Sequence, residues 1–109
     1  MAIAILTYTL PSDSESLRQY AGKVPGWINT VLSAPGAKEF RAYRSVDGKQ
    51  VMTVTENESV ATAKNFLSSD TWKAMRGEFE KLGCSNIQTN IWDTSPLVPQ
   101  AKQPTRSAA

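Results

Sequence analysis

The first apolar run, Ala2 to Leu10, mixes isoleucine and leucine with tyrosine and threonine and stops at Pro11, which cannot donate to a sheet ladder. It predicts a strand. Ser12 and Glu15 have the spacing of a capping box, so a helix is expected to begin there. Leu17, Tyr20, Ala21 and Val24, then Trp27, Ile28, Val31 and Leu32, keep a helical period on one face. The period runs through Pro25 and Gly26, where the missing amide hydrogen predicts a kink or a break, with Pro25 starting a second segment. Ala34-Pro35-Gly36 closes this stretch.

Two strand-like runs follow, Lys38 to Val46 and Lys49 to Glu56. Asp47-Gly48 between them supplies the positive φ angles of a tight hairpin turn. The helical period then returns in Val60, Ala63, Phe66 and Leu67, continues through Trp72, Met75, Phe79 and Leu82, and closes at Gly83. Ser69-Asp70 offers a cap for a restart within it. A last strand is predicted from about Ser85 to Asp93, with Ile87, Thr89 and Ile91 alternating against Gln88, Asn90 and Trp92. One domain is therefore expected over residues 1–97, followed by a tail over 98–109 whose proline, glutamine, serine and alanine content cannot bury a core.

The order βα, hairpin, αβ is the split βαβ arrangement, an α+β ferredoxin-like βαββαβ fold with an antiparallel four-stranded sheet and both helices on one face. The other face is left uncovered. In the first strand Ile3 and Ile5 point one way while Ala4, Leu6 and Tyr8 point the other, so both faces carry apolar surface. A two-fold homodimer packing sheet against sheet would hide the bare face and enclose a cavity.

Composition narrows the chemistry. Twelve basic and ten acidic residues give a net charge of +2 and are scattered, which does not advertise nucleic acid or an anionic membrane. No window approaches the roughly 18 apolar residues of a membrane helix, and the first ten residues lack a basic region and a small-residue cleavage site. With Cys84 as the lone cysteine, read as a buried structural thiol, a reducing, cytoplasmic setting is expected. There is no histidine, which removes the usual general base and the commonest metal ligand; no metal site is expected. The six glycines form no phosphate-binding loop. RNA-recognition domains share this element order, but the strand Gly48 to Thr55 has no aromatic residue on which a base could stack.

The run from Asn57 to Trp72, with Ala34-Pro35-Gly36 before it and Trp92-Asp93-Thr94-Ser95-Pro96 after it, resembles the antibiotic-biosynthesis-monooxygenase-like branch of the dimeric α+β barrel superfamily. The resemblance implies an aromatic substrate held between helices and sheet, as in cofactor-independent quinone-forming monooxygenases and haem-degrading monooxygenases. Haem degraders carry an asparagine on the first strand and a tryptophan and a histidine on the second helical stretch. Thr7, Phe66 and Arg76 stand at those places here. Many relatives also have an aromatic residue where the third strand passes into the helix, where this chain has Asn57. The quinone-forming reaction asks less of the protein, because a deprotonated electron-rich substrate can react with oxygen itself in a dry, shaped cavity. No cofactor is then expected.

The candidate substrate-binding residues are Arg41, Tyr43, Asn57, Phe66, Trp72 and Arg76. Arg41 and Tyr43 share one face of a strand, where they could bind a phenolate or carboxylate at the cavity wall or form a surface pair near a dimer edge. Arg76 lies one helical turn beyond Trp72 and could approach the same ligand. Phe66, Trp72 and Met75 have the spacing of core residues and could also line a cavity; Trp27 and Trp92 share that ambiguity. Glu56 and Asn57 are polar at a strand-to-helix junction, where a buried carboxylate could take a substrate proton and where helix capping is the alternative role. No catalytic residue is singled out. Two functions fit this pattern: a metal-free monooxygenase of a small aromatic or polyketide-like substrate, and a non-catalytic dimer that binds a hydrophobic small molecule or a protein partner.

Overall fold

The computed structural model describes residues 1–95. Strand β1 (Ala2–Thr9) is followed by helix α1 (Ser14–Leu32), β2 (Ala37–Arg44), β3 (Gln50–Asn57), α2 (Val60–Leu67), α3 (Asp70–Lys81) and β4 (Ser85–Asp93). The strands form one antiparallel sheet in the order β2-β3-β1-β4. This is the expected α+β ferredoxin-like arrangement, with its second helical layer divided in two. The expected tail, 98–109, and the last two residues of the expected domain lie outside the described residues.

Local chemistry explains where elements start and stop. The cap of α1 is Asp13, whose carboxylate accepts from the Ser16 amide at 2.8 Å, and not the expected pair Ser12 and Glu15. A charged oxygen at a helix N-terminus is the stronger acceptor, and Glu15 turns instead to Arg18. Of the kink or break expected at Pro25, the break does not occur, since α1 runs through it. Pro25 and Ala21 both sit on the exposed side, so water can satisfy the carbonyl that loses its partner, while Tyr20, Val24, Trp27 and Val31 hold the flanking turns to the core. The β2–β3 turn is wider than a two-residue hairpin. The Gly48 amide reaches the Ser45 carbonyl at 2.8 Å, and Gly48 alone takes a positive φ, +76°. Asp47 accepts from the Ser45 hydroxyl and the Lys49 amide, which fixes this longer turn.

Ser69 caps α3 as expected, and Ser59 caps α2 in the same way. At its other end α3 stops in a Schellman motif: the Cys84 amide reaches the Phe79 carbonyl, the Gly83 amide reaches Glu80, and Gly83 has φ +92°. Gly36, at φ +85°, is needed for a second reason, because a Cβ there would lie 2.7 Å from the Thr62 side chain.

All three helices cover one face of the sheet. Phe79, 2% exposed, is the centre of the core beneath them. It stacks on Tyr8 at 4.9 Å between ring centroids and meets Trp27 at 4.3 Å and Trp72 at 6.2 Å, so one ring ties β1, α1 and α3 together. The Trp27 indole also donates to Glu78 at 3.0 Å, and Lys23 pairs with the same carboxylate. The opposite face carries Ile3, Ile5, Met52, Val54, Tyr43 and Trp92, sorted there by a register that sets Ile3 beside Trp92 and Glu56, and Met52 beside Thr7 and Tyr43. No helix covers it.

Phe79→Ala should remove about 3–5 kcal/mol of stability, read as a lowered midpoint in chemical denaturation, because the ring is fully enclosed among three other aromatic side chains.

Candidate functional site

The helix-covered side of β3 is unusual for a core surface. Thr53, Thr55 and Asn57 point inward, with exposures of 8%, 8% and 4%, while the apolar Met52 and Val54 point outward. The Asn57 amide donates to the Thr55 carbonyl at 3.2 Å. Around this hydroxyl and carboxamide wall stand Phe66 and Leu67 of α2, Trp72 of α3, Val31 of α1 and Ala34 of the turn that follows it. The space between is a cavity of about 40 Å³. A second interior cavity of about 60 Å³, lined by Tyr8, Trp27 and Phe79, shares Leu6 and Thr53 with it. Among the described residues, no enclosed side-chain nitrogen or oxygen lacks a hydrogen-bond partner.

Outside this slot, the C-terminal half of α1 and the start of α2 and α3 enclose an open groove of about 630 Å³. Ala34 and Phe66 line both the slot and the groove, so they form the partition between them. The near wall is held in place by the backbone, where the Glu58 amide reaches the Gly36 carbonyl at 2.9 Å.

The structure divides the six sequence candidates among three places. Asn57, Phe66 and Trp72 meet in the slot. Arg41 and Tyr43 do share a face, but it is the helix-free one, where they line a separate hollow of about 200 Å³ with Ile3, Val54, Glu39 and Glu56. There Arg41 pairs with Glu39 at 2.9 Å, and its hydrogen bond holds that carboxyl below the usual range. Arg76 is exposed and reaches toward the Ile87 carbonyl, not the slot. Glu56, next to Asn57 in sequence, faces the opposite side of the sheet. Trp27 is core, and Trp92 is 55% exposed on the bare face.

Thr7, Phe66 and Arg76 likewise fail to converge, being on the bare face, in the slot and in solvent respectively. Their positions therefore assemble no haem-holding set. Thr53 and Thr55 were not among the candidates. The signal for them was the inverted alternation Met52-Thr53-Val54-Thr55, in which the polar members fall on the side that the rest of the sheet fills with core.

Two titratable groups are buried away from the slot. Tyr8 and Tyr20 join through their hydroxyls, and burial pushes Tyr8 far above the ordinary phenol range. Burial also pushes the Cys84 thiol up to about 11. Among the described residues, no cluster of three or more histidine, cysteine or acidic side chains could hold a metal ion, and no helix is long and apolar enough to cross a membrane.

No family model matches the sequence. No curated protein matches it either. Solved structures do match the fold. A Deinococcus radiodurans protein named for antibiotic biosynthesis monooxygenases superposes with a TM-score of 0.74 at 7% identity, over 90% of this chain and 96% of its own. A cofactor-independent oxygenase from Streptomyces nogalater gives 0.67 at 8% identity, over 91% and 98%. A monooxygenase from Streptomyces coelicolor, solved with nanaomycin D bound, gives 0.67 at 16% identity, over 90% and 91%. The chain has the fold of the antibiotic-biosynthesis-monooxygenase-like proteins.

Stability should fall as pH rises from about 9 toward 11. Cys84 and Tyr8 keep their protons in the folded state to higher pH than in the unfolded chain, so their contribution is complete below the unfolded thiol's range and is lost as pH climbs through the folded value. Denaturation midpoints at pH 8 and 10.5 would show the drop. A flat profile would contradict it.

Proposed function

We propose that this protein is a cofactor-independent monooxygenase-like enzyme that acts on a small aromatic or polyketide-like substrate held between sheet and helices. The observation that carries this reading is the inward-facing wall of Thr53, Thr55 and Asn57 opposite Phe66 and Trp72. Aromatic faces would hold a flat substrate, and the Asn57 carboxamide is placed to donate to an oxygen that gains negative charge when the substrate loses a proton. The substrate gives its proton to water before the slot closes on it; the carbanion then reduces O2, the peroxide formed at that carbon takes a proton back from water, and the hydroperoxide loses water to leave a quinone. The structural likeness to oxygenases supports the reading at the level of fold.

The slot itself holds about 40 Å³, against the roughly 300 Å³ or more expected for such a ligand. A substrate therefore enters by displacing Phe66, which merges the slot with the groove outside. The working form in this proposal is a homodimer joined through the bare sheet face, where Ile3, Ile5, Val54, Tyr43 and Trp92 would leave water.

One observation favours a second reading. Among the described residues, every side chain lining the slot is neutral and none exchanges a proton near neutral pH. Such a site would bind a hydrophobic small molecule without turning it over, as a non-catalytic dimeric binding protein.

Oxygen uptake with anthrone-type phenols separates the two. The enzyme reading expects consumption of one O2 per quinone formed, with kcat/KM reduced by at least about tenfold in Asn57→Leu. A ligand that raises Tm but is recovered unchanged, with no oxygen consumed across the panel, would establish the binding reading instead. Native mass spectrometry should find dimers, and Ile5→Lys should return monomers by placing a charge at the centre of the buried face. A monomeric parent protein would remove the dimer from the proposal.

A further inference from the structure

The groove between α1 and α2 has a chemistry of its own. None of its lining side chains is charged. Five carry hydroxyls, and four of these have their proton committed to a backbone carbonyl, Thr30 to Gly26, Ser33 to Asn29, Thr62 to Ser59 and Ser69 to Phe66, with Thr71 the fifth. What Thr30 and Ser33 still offer a ligand is acceptor lone pairs. Asn29 on α1 and Asn65 on α2 add a carboxamide to each wall, each able to accept and donate at once. Ala34 and Pro35 add the apolar part of the lining, and Phe66 forms the partition with the slot.

An anion is a poor match for this set. It finds no cationic side chain in the lining to offset the water it loses, and the α3 N-terminus beside the groove is already capped by Ser69 and carries Asp70 in its first turn. An ammonium group would be stripped of water with no carboxylate to meet it. A neutral ring bearing several hydroxyls matches this set, since its O–H groups donate to the committed hydroxyl oxygens, its oxygens accept from the carboxamides and from Thr71, and its C–H face has Ala34 and Pro35 to lie on.

We propose that the α1–α2 groove is a subsite for an uncharged, hydroxyl-bearing ring, such as a hexose, attached to the aromatic part that enters the slot. The substrate class is then an aromatic compound with a neutral polyol substituent. This deepens the function proposed above and rests on it for the placing of the aromatic part.

Isothermal titration with 1-naphthyl β-glucoside, 1-naphthol and 1-naphthyl glucuronide tests it. The glucoside should bind at least about tenfold more tightly than naphthol, the worth of one or two net hydrogen bonds, and the glucuronide should lose that gain. Asn29→Ala with Asn65→Ala should cut glucoside affinity by about tenfold or more in a protein whose circular dichroism and Tm match the parent. If naphthol binds and the glucoside binds no better, the subsite is wrong and the aromatic slot stands. A glucuronide as tight as the glucoside would overturn the requirement for neutrality. If neither glucoside nor naphthol binds, both the subsite and the slot reading fall.

Discussion

The strict two-residue alternation of the strands, combined with helices on one side only, decides the environment of nearly every strand residue in this protein. Tyr8 goes under the helices and stacks on Phe79, while Thr7 and Thr9 beside it go to the bare face. The same rule separates Glu56 from Asn57 and Arg41 from Phe40. A candidate site drawn from neighbours in sequence is therefore cut in two by the sheet. Arg41 and Tyr43 cannot serve the same ligand as Asn57 and Trp72 within one chain.

In strand β3, alternation and composition disagree. A strand under a helical layer would ordinarily place its branched apolar residues inward. Val51 obeys that rule, but Met52 and Val54 face out and Thr53 and Thr55 face in, so the middle of the strand inverts it. Inward hydroxyls weaken apolar packing and are retained where something polar is to be met. Outward apolar side chains favour a partner surface. The ligand and the second copy proposed above would each answer one half of this inversion.

Much of the fold was legible because its signals were local and redundant. Ser69 and Gly83 each mark an element boundary by capping chemistry that operates over three or four residues, and the structure uses both. Where two local solutions competed, sequence reading chose the wrong one. Ser12 with Glu15 fitted a known spacing, yet Asp13 lay between them with a better acceptor. Pro25 read as a breaker because pattern alone does not show that the orphaned carbonyl would face water. The site was less legible. Trp72 and Phe66 were found through spacing, but which aromatic residues pack and which line a void depends on contacts across the sheet, such as the Phe79 cluster that absorbs Trp27 and leaves Phe66 at a boundary.

That boundary is where the proposed chemistry meets the mechanics of the chain. Helix α2 has only eight residues and carries its own hydrogen-bonded ends: a reciprocal Ser59–Thr62 capping box at one, and the Ser68 and Ser69 amides on Lys64 and Phe66 at the other. Its helical hydrogen bonds are thus satisfied within the segment and its caps, so an outward shift would leave few backbone groups unpaired. What resists the shift is side-chain packing, chiefly Ala63, Phe66 and Leu67 against the sheet and α3. In the proposed function an aromatic ligand would replace that packing with its own, its ring taking the place that Phe66 holds in the empty protein, and slot and groove would then be continuous.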